Sequence, residues 1–177
     1  MKLIFVRHAE KEKEGKDPHL TKRGMKQAKF LAKKLKKMNI DEFYCSDMNR
    51  AKQTSEIVSK QIKLKPKIEK SLNEFKSITL MKDKFIWNKK ERKHFRDLRT
   101  FLKKITKKPN DEKTILIISH GLTNRLILSY FLNLDIKKLI PFRQSKTGLN
   151  SIYWFEKFKN WRLRTWNNYS HLPKKLK

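Results

Sequence analysis

Apolar runs alternate along the chain with amphipathic stretches, and this alternation predicts strands followed by helices. Residues 3–6 are four consecutive apolar residues, as in a strand buried on both faces of a sheet. Residues 114–118 form a longer, β-branched run, and residues 42–45 and 67–69 predict two shorter strands. We therefore expect four strands of a buried, mostly parallel sheet.

Helices are predicted between these strands. Apolar residues recur three and four positions apart over residues 21–38, 48–62 and 89–106, with lysine and arginine on the other side of each pattern. Thr21 is a suitable N-cap for the first helix. A fourth helix follows the 114–118 strand directly and extends to about residue 132.

The C-terminal part has a different pattern. Residues 151–155 and 161–166 are two strand-like segments around a short polar connection, which predicts a hairpin. The hairpin adds an antiparallel contribution to the sheet, and we expect the tail at 173–177 to be frayed.

Together these elements predict an α/β fold, a three-layer α/β/α sandwich with a mostly parallel sheet. A chain of 177 residues suits a single domain over residues 1–177. Residues 75–88 keep no clean apolar period, so we expect a small lid-like excursion at about 75–90.

Reactive side chains follow three of the predicted strands at the point where each strand ends. Arg7 and His8 follow the first strand, Ser46 and Arg50 follow the second, and His120 follows the 114–118 run. Because ligands bind at the carboxyl ends of parallel strands, we expect these side chains to meet at one edge of the sheet.

Their chemistry predicts an anion site that contains a nucleophile. Arginine binds phosphate bidentately and stays charged, and a neutral histidine nitrogen can attack phosphorus. A second histidine, if protonated, would stabilise charge on the phosphoryl oxygens. Gly121 allows a close backbone approach, and the helix that starts there directs its N–H groups at the same anion.

Charge and composition narrow the function class. The chain has 46 Lys and Arg against 17 Asp and Glu, a formal charge of +29, which attracts polyanions of any kind. Only ten of the basic residues are arginine, and lysine excess is also expected of solvated faces, so the charge alone predicts no specific partner. A nucleic-acid partner through non-specific charge stays open.

The chain has no signature of disulfides, export or membrane insertion. Cys45 is the single cysteine, which rules out an internal disulfide. Only four consecutive apolar residues lie directly before Arg7, fewer than the hydrophobic region of a signal peptide requires. No apolar run in the sequence approaches the roughly 20 residues that span a bilayer. We expect a cytoplasmic protein without a membrane span; the sequence does not fix its oligomeric state.

Six segments that follow one another along nearly the whole chain form a family signature. They are Arg7-His8-Ala9, Leu20-Thr21-Lys22-Arg23-Gly24-Met25-Lys26-Gln27-Ala28, Ser46-Asp47-Met48-Asn49-Arg50-Ala51-Lys52-Gln53-Thr54, Leu72-Asn73-Glu74, Ser119-His120-Gly121 and Asn150-Ser151-Ile152. Each segment alone is a weak signal, but six in order at compatible spacings are specific. With them the chain resembles the histidine phosphatase superfamily, the phosphoglycerate-mutase-like fold.

The resemblance implies a phosphatase of the small branch and assigns roles to five residues. His8 would be the phosphorylated nucleophile, Arg7, Arg50 and His120 would bind the phosphate, and Glu74 would donate the proton to the leaving oxygen. A glutamate needs a raised pKa for that role, which burial under the excursion would supply.

Two features depart from the family pattern, and both affect the first loop. Ala9 stands where most members have glycine, and the threonine and asparagine that many members have downstream are missing from residues 11–17. Glu10, beside the nucleophile, competes with Glu74 for the proton-donor role.

Other functions remain as alternatives. Within the family these are a phosphohistidine phosphatase of the short kind, or a mutase-type transferase, which is disfavoured because family mutases have longer insertions. The substrate is a small phosphorylated molecule or a phosphoprotein. Outside the family the alternative is a basic nucleic-acid-binding module with a vestigial site.

We expect no cofactor and no metal. The remaining histidines lack partners at metal-ligand spacing. The chain also lacks the Gly-x-Ser-x-Gly elbow of serine hydrolases and the glycine-rich loops of nucleotide-binding enzymes. The histidines that lack partners at metal-ligand spacing are His19, His94 and His171.

Overall fold

The computed structural model describes residues 1–77, 87–109 and 112–177. Strands and helices alternate up to α4, as the sequence predicts. In chain order the elements are β1 (Lys2–Arg7), α1 (Lys22–Leu35), β2 (Glu42–Cys45), α2 (Asn49–Ile62), β3 (Lys67–Ile68), α3 (Lys89–Ile105), β4 (Thr114–Ser119), α4 (Gly121–Leu132), α5 (Ile136–Leu139), β5 (Leu149–Phe155) and β6 (Asn160–Asn168).

One sheet runs through these elements in the strand order β3-β2-β4-β1-β5-β6. The first four of these strands are parallel, whereas β5 is antiparallel to β1 and β6 is antiparallel to β5. Successive residues of β1 point to opposite faces. Leu3 and Phe5 pack with α3 and α4, and Ile4 and Val6 pack with α1 and α2. The predicted three-layer α/β fold is confirmed.

Element boundaries differ from the predictions at a few points. The helix α1 ends at Leu35 instead of continuing to Met38, and β5 begins at Leu149, two residues earlier than predicted. The helix α5 was not predicted. Of the lid-like excursion expected at about 75–90, residues 78–86 lie outside the described residues, and residues 89 and 90 belong to α3. Asn88 and Glu91 form a capping box that starts α3 there.

The prediction of a frayed C-terminal tail is wrong. Residues 174–176 form a 3-10 turn, and the Leu176 side chain is buried. The Gln27 side-chain amide donates a hydrogen bond to the Leu176 carbonyl (2.9 Å), and Arg23 donates one to the Lys177 carbonyl (2.7 Å). Burial of one leucine and these two bonds fix a tail that is mostly lysine.

Close packing of α1 positions the loop that follows β1. Gly24 lies so near this loop that a Cβ there would be 2.0 Å from the Glu10 carbonyl oxygen. Gln27 accepts a hydrogen bond from the Glu10 backbone N–H (2.9 Å). The backbone after His8 is therefore held against the first turns of α1.

No helix in the described part of the chain is long and apolar enough to cross a membrane.

Candidate active site

Three parallel strand ends meet at one edge of the sheet, as predicted. The His8 N–H donates to the Ser119 carbonyl (2.9 Å), and the Ser46 N–H donates to the Ile118 carbonyl (3.1 Å). These backbone bonds bring the residues after β1, β2 and β4 side by side. The rings of His8 and His120 lie 5.1 Å apart between centroids, and both residues are at most 1% exposed.

The tautomer of His8 follows from its backbone partner. Its Nδ1 lies 2.6 Å from the Ala9 carbonyl oxygen, which is only an acceptor, so Nδ1 carries the hydrogen and Nε2 carries the lone pair. Burial, followed by the charges of His120 and Lys146, holds the pKa of His8 well below its usual value. His8 is therefore neutral near neutral pH, and its Nε2 carries the lone pair that a nucleophile requires.

Arg50 is placed against the nucleophile by the first turn of α2. Its Nε donates to His8 Nε2 (3.2 Å), and the residue is 5% exposed. Thr54 holds the same turn, since its hydroxyl donates to the Arg50 carbonyl (2.7 Å) and accepts from the Ala9 N–H (3.1 Å). The guanidinium thus meets the reactive nitrogen of His8 with little freedom to move.

Asp17 also contacts Arg50, and the sequence analysis did not single it out. Its Oδ1 lies 3.3 Å from Arg50 Nη1, and its Oδ2 accepts from the Asn49 N–H (2.9 Å) at the start of α2. An anion at a helix N-terminus stabilises that helix. No sequence pattern links Asp17 to α2, because its partner Asn49 is 32 residues away in the chain.

Glu74 reaches the site on a segment that is tied to β4 and α4. The Ser119 hydroxyl donates to the Leu72 carbonyl (2.7 Å), and the Phe75 N–H donates to the Thr123 hydroxyl (3.0 Å). These bonds on both sides of Glu74 direct its carboxylate inward. Its Oε2 lies 3.6 Å from Arg50 Nη2 and 3.4 Å from His120 Nδ1, and its side chain is 25% exposed.

A chain of hydrogen bonds sets the tautomer of His120. Asn73 Oδ1 accepts from the Asp47 N–H (3.2 Å), which fixes it as the oxygen, so the Ser46 hydroxyl donates to it (2.8 Å). The Ser46 oxygen is then the acceptor for His120 Nε2 at 2.9 Å, and Nε2 carries the hydrogen. The other ring nitrogen of His120, Nδ1, is left to face Glu74.

Glu74 and His120 therefore titrate as a pair. Without a proton between them, a carboxylate oxygen and a nitrogen lone pair would face each other at 3.4 Å, which is repulsive. Burial lowers the pKa of His120, and its contact with Glu74 offsets part of this change. Both pKa values lie below their usual values in the free site, so a proton is bound between the two groups only when a nearby anion raises them.

The expected upward shift of the Glu74 pKa is not found in the free site. Burial does raise the pKa, but the contact with His120 and the charges of His120, Arg50 and Arg7 together outweigh it and leave the pKa below its usual value. Burial alone predicts a raised pKa, but the cations that share the pocket lie on other elements and cannot be placed there from the sequence.

Glu10 is occupied elsewhere. One carboxylate oxygen accepts from the Thr21 hydroxyl (2.9 Å), and the other contacts Arg23 Nη1 (2.6 Å). Both groups lie at the start of α1. Burial raises the pKa of Glu10, but the bonds from Thr21 and Arg23 outweigh this effect and leave the pKa below its usual value. Of the two candidate proton donors, the structure therefore brings only Glu74 into contact with Arg50 and His120.

Arg7 lies at the other side of the pocket, enclosed by a turn. Its Nη1 donates to the Gln144 carbonyl (2.6 Å), and its backbone carbonyl accepts from the Thr147 N–H (3.0 Å). Its buried Nε has no hydrogen-bond partner among the described residues. A Cβ on Gly121 would lie 3.5 Å from this Nε, so the first turn of α4 packs directly against the guanidinium.

Lys146 is a further cation at the site, and no sequence pattern singled it out. It lies on the turn that encloses Arg7 and is half-buried. In the described part of the chain its amine has no carboxylate partner. Burial and then the charges of Arg7 and Lys11 lower the pKa of Lys146 to about 8. An unpaired amine among other cations is suited to bind an anion.

The same residues have the ligand types of a metal site, but the surrounding charge is wrong for one. Possible ligand atoms of His8, Glu74 and His120 lie within 4.8 Å of one another. Arg7, Arg50 and Lys146 place three cationic groups around those atoms, and a divalent cation would be repelled by them. The donor set fits an anion with a proton donor beside it better than a metal ion.

The site thus combines a neutral histidine nitrogen, several cations and a carboxylate in contact with a second histidine. These are the components for attack on an anionic phosphorus centre, stabilisation of its oxygens and protonation of a leaving group. All five residues that the resemblance assigned to the site, Arg7, His8, Arg50, Glu74 and His120, come together, while their individual roles stay predictions.

Comparison with protein families gives one match over most of the chain. The sequence profile described as histidine phosphatase superfamily (branch 1) matches residues 3–97 and 91–169. These two matches include every residue of the site described above.

Individual relatives are more distant or shorter in overlap. The mitochondrial serine/threonine-protein phosphatase Pgam5 of Drosophila melanogaster is 45% identical over 65 residues, which are 34% of this chain and 22% of the fly protein. A probable phosphatase of Schizosaccharomyces pombe is 22% identical over 171 residues, with 82% of this chain and 79% of the yeast protein covered. The chain therefore spans only about a fifth of the length of the fly relatives it matches.

Solved structures share the fold at low sequence identity. Phosphoserine phosphatase of Entamoeba histolytica, in complex with 3-phosphoglyceric acid, has a TM-score of 0.76 at 21% identity over 97% of this chain and 99% of its own. A putative alpha-ribazole-5'-P phosphatase of Escherichia coli has a TM-score of 0.77 at 21% identity over 96% and 97%.

Proposed function

Because the chain belongs to the histidine phosphatase superfamily (branch 1), we propose that it is a phosphatase that hydrolyses phosphate esters through a covalent phosphohistidine on His8. One observation carries the proposal. His8 is buried, neutral and fixed in the tautomer that presents the Nε2 lone pair, at 3.2 Å from the Arg50 guanidinium. No cofactor or metal takes part in the proposed reaction.

In the first step the phosphate of the substrate replaces the internal partners of the cations. Arg50 gives up its contact with His8 Nε2 and binds phosphoryl oxygens. Arg7 binds phosphoryl oxygens as well. The freed lone pair on His8 Nε2 attacks phosphorus, and the bond from phosphorus to the ester oxygen breaks. The leaving oxygen takes the proton held between Glu74 and His120 and departs as a neutral alcohol.

The second step returns the enzyme to its starting state. Water attacks the phosphorus of the phosphohistidine and gives its proton to the Glu74 carboxylate. The nitrogen–phosphorus bond breaks, the lone pair returns to His8 Nε2, and inorganic phosphate leaves. Throughout both steps Nδ1 of His8 donates to the Ala9 carbonyl, which keeps the ring in place and disperses its charge while it is phosphorylated.

Substrate binding would raise the Glu74 pKa, as proton donation by this residue requires. In the free site burial raises the Glu74 pKa, but the contact with His120 and the charges of His120, Arg50 and Arg7 leave it below its usual value. A bound phosphate dianion neutralises those charges and adds negative charge beside the carboxylate, and both effects raise the Glu74 pKa. Proton donation is therefore linked to occupancy of the pocket.

Two substrate classes fit the proposal. Small phosphate esters are favoured by the Entamoeba relative, whose structures hold phosphoserine and 3-phosphoglyceric acid, since both ligands have a carboxylate that an extra cation such as Lys146 would bind. A phosphoserine or phosphothreonine protein is the second candidate, and the 45% identity to a segment of Pgam5 favours it. Rates on free phosphoserine and on a phosphoserine peptide distinguish the two.

Turnover of a panel of phosphate esters tests the activity itself. The panel contains free phosphoserine, the phosphoserine peptide, a phosphohistidine peptide and para-nitrophenyl phosphate. The wild type is expected to release phosphate from at least one ester, and His8→Ala to release none. His19→Ala is the matched control, because His19 contacts Gln53 instead of the site and should leave turnover unchanged. Equal loss in both variants, or full activity in His8→Ala, would exclude the proposed mechanism.

A further inference from the structure

The strand β6 departs from regular pairing with β5 at Arg164. Ser151 of β5 pairs with Thr165, but the next residue, Ile152, pairs with Leu163. Arg164 is therefore an extra residue, a β-bulge, and such bulges redirect side chains out of the regular alternation. Here the result is that the consecutive residues Arg164 and Thr165 line the same depression on the α1 side of the sheet.

This depression is a cavity of about 250 Å³ between α1, the sheet and the C-terminal segment. Its inner side is apolar, with Ile4 and Leu149 from the sheet and Met38 after α1. Its rim is polar and basic, and within the described residues no acidic side chain lines it. The residues of the rim are Lys2, Lys34, Arg164, His171, Ser151, Thr165 and Asn168.

The cations of the rim have no internal counter-charge. No carboxylate of the described residues lies within ion-pair distance of Lys2, Lys34 or Arg164. Lys2 is half-buried, and burial and then the charge of Arg164 lower its pKa. Lys34 and Arg164 are exposed, and an anion bound beside Lys2 would offset both the burial and the charge repulsion that lower the Lys2 pKa.

His171 adds an adaptable group to the rim. The Thr147 hydroxyl donates to the Lys146 carbonyl (2.7 Å), so it accepts from His171 Nε2 at 3.1 Å, and Nδ1 carries the lone pair. Burial, followed by the charge of Lys34, lowers the pKa of His171 to about 4. An anion bound nearby would favour protonation of this ring.

We propose that the depression is a second ligand site, which binds a small organic phosphate whose phosphate group lies among Lys2, Lys34 and Arg164. The arginine fork and the Ser151 and Thr165 hydroxyls match the several oxygens of a phosphate dianion. The apolar inner side suits a short carbon chain. The volume corresponds to roughly eight water molecules at ~30 Å³ each, which accommodates a phosphate with only a few carbon atoms.

This site is separate from the active site and does not depend on catalysis. Lys2 begins β1 and Arg7 ends it, so at ~3.3 Å per residue the two Cα atoms are roughly 16 Å apart. None of the residues proposed to act in phosphate ester hydrolysis lines the depression. Binding here is therefore measurable whether or not the chain is a phosphatase.

Calorimetric titration with hydroxypropylphosphonate tests the proposal, because this probe has a phosphorus–carbon bond that a phosphatase does not hydrolyse. We expect two sites per chain in the wild type at physiological salt. Arg164→Gln should weaken one site about tenfold or more, which is ~1.4 kcal/mol, and leave the other unchanged. If Arg164→Gln weakens no site that the wild type shows, whether the wild type shows one site or two, the proposal is overturned.

Matched variants separate this site from general charge. Arg162→Gln makes the same charge change two residues away, where Arg162 stacks on Phe155 at 4.0 Å from the ring centroid. On α1, Lys34→Gln is paired with Lys33→Gln, since Lys33 lies over the Phe30 ring outside the depression. Losses confined to Arg164→Gln and Lys34→Gln support the site. Equal losses in all four variants would show diffuse attraction by a +29 chain and overturn it.

His171 supplies a readout that does not depend on stoichiometry. In an NMR titration of the labelled wild-type protein, saturating hydroxypropylphosphonate should raise the pKa of His171 above its value of about 4. The shift should be absent in Arg164→Gln and retained in Arg162→Gln. A His171 pKa that is unchanged by the probe in the wild type would contradict binding at this rim.

Discussion

Substitution of Glu74 by glutamine separates proton donation from phosphate binding. Glutamine has nearly the same shape and keeps polar contact with Arg50 and His120, at 3.6 and 3.4 Å in the wild type, but it cannot hold the shared proton. We expect Glu74→Gln to slow hydrolysis of alkyl phosphates such as phosphoserine by ~100-fold to 10,000-fold, the usual contribution of a general acid. Hydrolysis of para-nitrophenyl phosphate should change far less, because its leaving group departs as a stable anion.

Loss of the carboxylate charge should have the opposite effect on binding. Two unit charges ~5 Å apart interact by roughly 3 kcal/mol at an effective dielectric constant of ~20, which gives the order of magnitude of the repulsion between Glu74 and a bound phosphate. Even a third of that value makes inorganic phosphate bind about fivefold more tightly. Glu74→Gln should therefore be inhibited by lower concentrations of phosphate while its alkyl phosphatase activity falls.

Steady-state kinetics on the two substrates, with phosphate as inhibitor, checks both parts. Glu10→Gln is the matched control, because the Glu10 carboxylate contacts Thr21 and Arg23 and should leave both rates near wild type. Equal losses on alkyl and aryl phosphates would refute the proton-donor role and point to a structural effect. Loss of alkyl turnover in Glu10→Gln instead would assign the role to Glu10.

Three further predictions concern other residues. Lys146 is charged below its pKa of about 8 and neutral above it, so kcat/KM for a phosphate ester should fall as pH rises through about 8. The Lys146→Met variant should be less active at pH ~7 and should lack this decline. A variant with the same pH profile as the wild type would contradict the role of Lys146 in anion binding. Asp17→Asn keeps an oxygen for the start of α2 but frees Arg50 from a partly exposed ion pair worth up to ~1 kcal/mol, so KM should fall by up to about fivefold, and a higher KM would be the wrong sign. Gly24→Ala gains ~1 kcal/mol of helix propensity, yet its Cβ would meet the Glu10 carbonyl at 2.0 Å; the net effect should be a melting temperature lower by at least a few degrees, and a stabilised variant would refute the packing argument.

The sequence predicted the edge of the sheet where the site forms, because strand ends and their following residues are local features. Arg7 and His8 follow a continuous apolar run, and His120 follows another, so parallel pairing alone brings them together. The hairpin of β5 and β6 was predicted for the same reason. What these patterns determine is the position of a side chain along a strand or helix.

Properties that depend on tertiary neighbours could not be read in this way. The tautomer of His120 depends on Ser46 and Asn73, and the lowered Glu74 pKa depends first on His120 and then on the nearby arginines. Asp17 and Lys146 join the site from a loop and a turn without apolar periodicity. The tail was predicted as frayed because chain termini are usually poorly ordered, although burial of one leucine and a hydrogen bond from Gln27 dock it on α1.

The most direct test of the account is to trap phosphate on the enzyme. Wild-type protein is mixed with para-nitrophenyl phosphate that carries an isotopic label in its phosphoryl group. The reaction is quenched in alkali within one turnover, and the protein is digested for mass spectrometry. The account predicts a base-stable, acid-labile phosphate on the peptide that contains His8, up to one per chain, and none in His8→Ala. Label that persists in His8→Ala, or that lies on a different residue of the wild type, would contradict His8 as the nucleophile.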